Sequence, residues 1–144
     1  MEFGQVPCLE MDDGTKMYQC TALYNLIAQQ NGFLPEDPLA VYKGQMLFEH
    51  ICNDVMYKNL PNFLFKEAGP ERTELMNAFR AEKWLPAMET LAKHLPADKK
   101  FICGDSLTLH DFTVGGLLLN SYGNPNTKDP EFWAEAKAKS PARV

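Results

Sequence analysis

The strand-forming signals of this sequence are confined to its first 18 residues, and this limits the folds that the chain can adopt. Two short strand-like runs, residues 6–11 and 15–18, flank an Asp-Asp-Gly turn at residues 12–14 that is typical of β-hairpins. Residues 21–30 then have the apolar periodicity of a helix. After a proline-containing linker at residues 31–38, every periodic segment has helical spacing. The sequence therefore predicts an α+β fold that is mostly helical.

Proline and glycine divide the helical part into separate segments. Asp37 and Pro38 suit the N-cap and the first turn of a long helix. Pro86 lies inside a later helix and predicts a disruption near residues 82–85, because a proline ring has no N–H to donate. The predicted helices span residues 38 to about 60–66, 70 to 95, 108 to 122, and about 130 onward.

These boundaries predict two structural units. Residues 1–33 form a β-β-α piece, and residues 34–144 form an all-helical domain. A chain of 144 residues is long enough to bury a substantial core.

Composition excludes several classes of partner. The net charge is −5 and no basic stripe is present, so nucleic acid is not an expected partner. No apolar run approaches the roughly 18 residues that a membrane-spanning helix needs, and the first residues do not resemble a secretory signal. The four cysteines have no metal-binding spacing. We therefore expect no metal, no membrane contact, reduced thiols and a cytoplasmic location.

Two places near the start of the chain suit the binding of a small anionic ligand. Pro7 fixes its own φ, has no N–H and is a candidate for a cis peptide bond with Val6. The helix start at Gln19-Cys20-Thr21 offers backbone N–H groups and the positive end of a helix dipole, which favour a carboxylate.

The segment before the helix at residue 108 has a strong local signal. Thr108 is a natural N-cap, and Asp111 three residues later predicts a capping box with Asp in place of Glu. Leu107 and Phe112 occupy the staple positions, and His110 is expected on the exposed side of the first turn. This pattern favours a structural role over a catalytic pair of Asp111 and His110.

Taken together, these segments resemble a cytosolic glutathione S-transferase, and the resemblance is greatest to tyrosine-type classes such as sigma and mu. The matching segments, in family order and spacing, are Phe3-Gly4-Gln5-Val6-Pro7, Gln19-Cys20, Trp84-Leu85-Pro86 and Gly104-Asp105-Ser106-Leu107-Thr108-Leu109-His110-Asp111-Phe112. The resemblance implies a partial thioredoxin-like domain followed by the all-α domain of that family.

The resemblance also implies a glutathione site. Pro7 resembles the cis-proline of the family, and Val6 would pair through its backbone with the cysteinyl part of glutathione, as an added strand does. Gln5 matches a position that contacts the bound peptide, and Gln19 matches one that holds the γ-glutamyl end. Cys20 stands where the family usually has Ser, and a thiol is the weaker donor. A surface polar role for Gln19 and a helix-cap role for Cys20 remain open alternatives.

For activity, the resemblance implies transfer of glutathione, as co-substrate, to a hydrophobic electrophile. The family's β-α-β start and its thiol-activating residue have no counterpart in the sequence, so we expect no catalytic residue and little activity from this chain alone. Met46 and Tyr57 are weak candidates for the hydrophobic substrate site; a core or interface position is the alternative. A homodimer or a partner subunit is also implied, and a non-catalytic interaction subunit that reuses the helical domain is the alternative function.

Overall fold

The computed structural model describes residues 3–127 and 129–141. Its strands are β1 (Cys8–Glu10) and β2 (Lys16–Tyr18). Its helices are α1 (Cys20–Gln30), α2 (Pro38–Phe48), α3 (Pro61–Leu64), α4 (Pro70–Phe79), α5 (Leu85–His94), α6 (Leu109–Tyr122) and α7 (Pro130–Lys139). The predicted α+β, mostly helical fold is confirmed. The division at residues 33 and 34 stays a prediction, and the outermost residues of both predicted units, 1–2 and 142–144, lie outside the described residues.

The two strands form an antiparallel ribbon in which Cys8 lies opposite Tyr18. Each strand has three residues and is shorter than predicted. Met11 and Thr15 belong to the turn instead, where Met11 donates its N–H to the Thr15 carbonyl at 2.9 Å, and Val6 and Pro7 precede β1. Gly14 has a φ of 84°, a conformation that glycine adopts without strain.

Helix α1 ends in a Schellman motif, which leads the chain back toward α6. Gly32 has a φ of 72°, and the Phe33 N–H donates to the Ala28 carbonyl at 2.8 Å. The Phe33 carbonyl in turn accepts from the Leu109 N–H at 2.8 Å, and the rings of Phe33 and Phe112 meet edge to face at 5.4 Å. The end of α1 is therefore attached to the first turn of α6.

The two longest helical stretches contain π-helical turns. Helix α2 begins where Asp37 accepts from the Leu39 N–H at 3.0 Å, and it continues as a π-helical segment, Glu49–Tyr57. A second π-helical segment, Arg80–Trp84, joins α4 to α5, and Pro86 is the second residue of α5. The disruption predicted near residues 82–85 is thus a wider helical turn. It lies where Pro86, which has no N–H, removes a hydrogen bond from the helix.

The core lies between α2, its π-helical continuation and the later helices. Its fully buried large side chains include Ile51, Trp84, Met88, Leu91 and Val114. No helix among the described residues is both long and apolar enough to cross a membrane.

The indole of Trp84 connects the core to the last helices. Trp84 donates through Nε1 to the Tyr122 hydroxyl at 2.6 Å, and that hydroxyl lies 2.8 Å from the Ser140 hydroxyl. The Trp84 ring also meets Trp133 at 5.2 Å. The buried N–H of the Trp84 indole therefore has a hydrogen-bond partner inside an aromatic cluster, and this cluster stabilises the packing of α6 and α7.

A buried ion pair holds the start of α7. Arg72, which is 7% exposed, binds Asp129 with two nitrogens on two oxygens, and it donates through Nε to the Phe63 carbonyl at 3.0 Å. Pairing with Asp129 raises the pKa of the Arg72 guanidinium. Because the charge is both paired and hydrogen-bonded, its burial is tolerated.

Helices α2 and α6 pack against each other at Gly44. A Cβ at this position would lie 2.1 Å from Cδ2 of His110 and 2.7 Å from Sγ of Cys103. Glycine is therefore required sterically, since a methyl group has no room between α2 and the His110 ring.

We predict that Gly44→Ala destabilises the fold by about 3 kcal/mol, because the added methyl group overpacks this contact. Urea unfolding measures the loss. Gly115→Ala is the matched control: Gly115 lies inside α6 with nothing within 4 Å of a Cβ, so alanine should stabilise the protein by about 0.5–1 kcal/mol. Equal effects of the two substitutions would contradict the steric explanation.

Candidate functional site

Asp111 fixes the start of α6, which forms one wall of the candidate site. Its carboxylate accepts from the Thr108 N–H, the Thr108 hydroxyl and the Ile102 N–H, each at 2.8 Å. Thr108 and Asp111 form a capping box, and Thr108 is buried. One carboxylate thus serves three donors and orients both the helix and the loop that precedes it.

A cleft of about 630 Å³ lies between the start of α1, the α2 stretch with its π-helical continuation, and one face of α6. This volume suits a small organic molecule. Its lining residues are Cys20, Thr21, Tyr24, Phe48, Cys52, Asn53, Tyr57, Leu109, Phe112, Thr113, Gly116, Leu117 and Asn120.

The cleft mouth carries a thiol beside two phenols. The pKa of the Tyr24 hydroxyl is raised, chiefly by the electrostatic influence of Cys20, with partial burial and Tyr57 adding to it. Tyr24 is therefore a neutral hydrogen-bond donor at neutral pH. Burial raises the pKa of Cys52 to about 11, so this second thiol stays protonated.

The end of the ribbon meets the cleft at Cys20. The peptide bond between Val6 and Pro7 is cis. Since Cys8 pairs with Tyr18, the segment before Cys8 and the segment after Tyr18 lie at the same end of the ribbon. Gln19 in that second segment has a φ of 70°, an uncommon conformation for a side-chain-bearing residue.

The structure places the predicted site residues as follows. Gln5, Val6 and Pro7 are exposed, with Val6 78% exposed before the first residue of β1. Gln19 is exposed between β2 and α1, and Cys20 is the first residue of α1 and lines the cleft.

The two candidates for the hydrophobic site are separated. Tyr57 is 64% exposed and lines the cleft. Met46 is half-buried against the hydrophobic core and is not a lining residue of the cleft. The structure therefore brings Tyr57, but not Met46, to the same place as Cys20.

His110 is buried, contrary to the expectation of an exposed position. It is 1% exposed, because Gly44 lets α2 cover the first turn of α6. Its titratable neighbours are Asp111 on α6, Cys103 in the preceding loop and Tyr24 on α1. Burial lowers the pKa of His110, and the negative charge of Asp111 opposes this.

Sequence reasoning missed the α6 face of the cleft. Leu109, Phe112, Thr113, Gly116 and Asn120 follow one another at helical spacing along the exposed side of α6. This spacing was readable in the sequence, but a face that mixes apolar, small and polar residues does not show a binding surface until the opposite wall is known.

All four cysteines are free thiols. Across residues 3–127 and 129–141, no three His, Cys, Asp or Glu side chains are grouped so that they would hold a metal ion.

The arrangement is similar to that of solved glutathione S-transferases. The glutathione S-transferase Blo t 8 matches with a TM-score of 0.68 at 23% identity, covering 96% of this chain and 62% of that protein. The glutathione S-transferase from Ascaris lumbricoides matches with a TM-score of 0.66 at 23% identity, covering 96% of this chain and 71% of that one. Maleylpyruvate isomerase from Pseudomonas aeruginosa PAO1 matches with a TM-score of 0.58 at 19% identity, covering 96% and 82%.

These matches define a glutathione S-transferase-like fold, with a partial thioredoxin-like piece before an all-α domain. The chain spans less than two thirds of the length of the Blo t 8 protein. No protein-family model and no curated protein sequence matches it.

We predict that His110 makes stability depend on pH. Its native pKa lies below the ordinary value of 6.5, so the unfolded chain binds the proton more readily. The free energy of unfolding is therefore greatest above that value and falls as pH drops toward the lowered native pKa, by up to about 1.4 kcal/mol per pH unit. Urea unfolding between about pH 7 and pH 5 measures this slope.

Two variants assign the slope to its source. His110→Asn should flatten it, whereas His94→Gln, which removes an exposed histidine at the end of α5, should leave it unchanged. A slope that persists in the His110 variant would assign the effect to another group.

Proposed function

We propose that this chain binds glutathione at the ribbon end and an apolar electrophile in the adjoining cleft, the two partners of glutathione transfer, and that it does not itself supply the residue that activates the glutathione thiol. The observation that carries the proposal is the position of Cys20, which begins α1 beside Gln19 and also lines the cleft. A ligand held at the ribbon end would therefore lie next to a molecule in the cleft.

The ribbon end offers the groups that a γ-glutamyl tripeptide needs. The first N–H groups of α1 and the helix dipole favour its carboxylate, and Gln19 offers an amide. Val6 lies outside the paired register and is exposed, so its backbone is accessible to an added extended segment. Gln5 is exposed beside it.

The cleft suits the second molecule. Aromatic side chains of Tyr24, Phe48, Tyr57 and Phe112 line it, and such surfaces bind flat apolar compounds. We extend the proposal to a sigma- or mu-like tyrosine-type class, a cytoplasmic location and a homodimer or partner subunit, on the basis of the motif resemblance described above.

An interaction subunit without glutathione binding is the competing function. The exposed side chains of Phe3, Val6 and Met11 on the ribbon favour it, since a partner chain would cover them. Isothermal titration with glutathione separates the two functions: binding supports the proposal, and its absence supports the interaction subunit.

We predict that Cys20→Ser strengthens glutathione binding by about three- to tenfold, because a hydroxyl is a better hydrogen-bond donor than a thiol. Titration calorimetry measures the change. Cys8→Ser is the matched control: Cys8 lies in β1 and is half-buried, and it is not a proposed ligand contact. A Cys20→Ser affinity equal to that of the wild type would remove Cys20 from the site.

We predict that Gln19→Gly separates stability from binding. Glycine relieves the positive φ, so the free energy of unfolding should rise by about 1 kcal/mol. Loss of the amide should weaken glutathione binding by about tenfold. Gln29→Ala, at the opposite end of α1 on an exposed position, should change neither quantity by much. Tighter or unchanged binding in Gln19→Gly would contradict the assigned role.

A further inference from the structure

Two walls of the cleft each carry a thiol and a phenol. Cys20 and Tyr24 lie four residues apart on α1, and residues at this spacing are neighbours on one face of an α-helix. Cys52 and Tyr57 lie five residues apart in the π-helical segment, the spacing that the backbone hydrogen bonds of such a helix join. All four residues line the cleft, so two thiols and two hydroxyl groups surround one volume of about 630 Å³.

We propose that the cleft is a covalent capture site for apolar α,β-unsaturated ketones, in which the Cys20 sulfur bonds to the ketone and the Tyr24 hydroxyl donates to its carbonyl oxygen. The proposal deepens the proposed function and rests on its cleft, because the ketone is the apolar electrophile that the cleft binds. The product is a modified chain, not a glutathione conjugate.

The first argument is access, which separates Cys20 from the other thiols. Cys20 is half-buried at the first position of α1 and lines the cleft, so it is accessible to a molecule bound there. Cys52 lines the same cleft but is 3% exposed, and burial raises its pKa to about 11. Since a thiol reacts as its thiolate, Cys52 is the less reactive of the two. Cys8 and Cys103 are not among the described residues that line the cleft.

The second argument is the position of Tyr24 relative to the thiol. The pKa of Tyr24 is raised chiefly by Cys20, and burial and Tyr57 add to it, which requires the thiol and the two hydroxyl groups to lie close together. The Tyr24 hydroxyl therefore stays protonated beside the sulfur and is able to donate. When a thiolate adds to an unsaturated ketone, negative charge develops on the carbonyl oxygen, and a hydrogen-bond donor placed there stabilises it.

The third argument selects the class of electrophile. The aromatic rings of Tyr24, Phe48, Tyr57 and Phe112 favour a flat apolar body. An aryl-substituted conjugated ketone is flat, and its carbonyl oxygen accepts a hydrogen bond from a phenol. An alkyl halide has no such acceptor. The aromatic walls and the donor beside the thiol thus favour the unsaturated ketone.

The proposed reaction is an addition, so no atom leaves. The Cys20 sulfur forms a bond to the β-carbon, and the π electrons of the carbon–carbon double bond move toward the carbonyl oxygen, where Tyr24 donates. The proton lost from the thiol reaches the α-carbon through solvent, and the carbonyl group is restored. The adduct therefore has the mass of the chain plus one intact ketone, and neither an oxidant nor a leaving group is involved.

Benzylideneacetone tests the proposal on the unmodified chain, and benzylacetone, its saturated analogue, is the matched control. Intact-mass spectrometry follows adduct formation, and peptide mapping locates the modified cysteine. We expect the adduct to form on Cys20, at a rate that saturates with benzylideneacetone concentration because the ketone binds in the cleft before it reacts. Benzylacetone should form no adduct and should slow the reaction by competing for the cleft.

Two pairs of variants assign the groups. Cys20→Ser should abolish the adduct, whereas Cys8→Ser, in β1, should retain it. Tyr24→Phe keeps the ring and should slow the bond-forming step at least about tenfold, with a nearly unchanged half-saturating concentration. Tyr42→Phe, at an exposed position of α2 that is not among the described lining residues, should change neither. If Cys20→Ser does not fold, peptide mapping of the unmodified chain still decides the question.

The possible failures are distinguishable. A first adduct on another cysteine, or a rate that rises linearly with concentration and is unaffected by benzylacetone, would overturn capture in the cleft. An unchanged rate in Tyr24→Phe would overturn the role of its hydroxyl group. If calorimetry shows that benzylacetone binds but benzylideneacetone leaves no adduct, capture is overturned while the cleft of the proposed function stands. If glutathione does not bind but Cys20 is modified with saturation, the transfer function fails and capture stands.

Discussion

The close approach of α2 and α6 at Gly44 is the contact on which the shape of the site depends. Because glycine has no side chain, the His110 ring occupies the space beside the α2 backbone. This approach covers the first turn of α6 and leaves the following turns opposite the end of α2 and its π-helical continuation, where Phe48 and Cys52 line the cleft. A change in the packing at Gly44 would therefore be transmitted to those walls, because the interior between them is close-packed.

A second constraint connects the β-β-α piece to this helical framework. The Asp111 carboxylate serves donors on Thr108 and Ile102, and the Leu109 N–H donates to the Phe33 carbonyl. The start of α6 is thus attached both to its preceding loop and to the end of α1. The opposite end of α1 carries Cys20, so the position of the ribbon end relative to the cleft follows from backbone and capping bonds.

Features that depend on neighbouring residues were predictable from the sequence. The Asp37 cap, the box of Thr108 and Asp111 and the helix ends were readable because each involves groups within a few positions of one another. The burial of His110 was not, since it depends on a glycine in a different helix. The cleft was equally out of reach, because three separate elements supply its walls and a local sequence pattern does not determine how those elements pack.

Among the described residues, two local costs lie at or beside the proposed site, and a third, the positive φ of Asp129, lies at the start of α7. Gln19 adopts a positive φ beside the start of α1, and Nε2 of His110 is buried without a partner among the described residues. Elsewhere, buried polar groups such as those of Arg72 and Trp84 are satisfied. Each cost is about 1–3 kcal/mol, a large share of the net stability of an ordinary domain. Stability alone would favour glycine at the first position and an apolar residue at the second. A ligand that binds the Gln19 amide would offset the first of these costs.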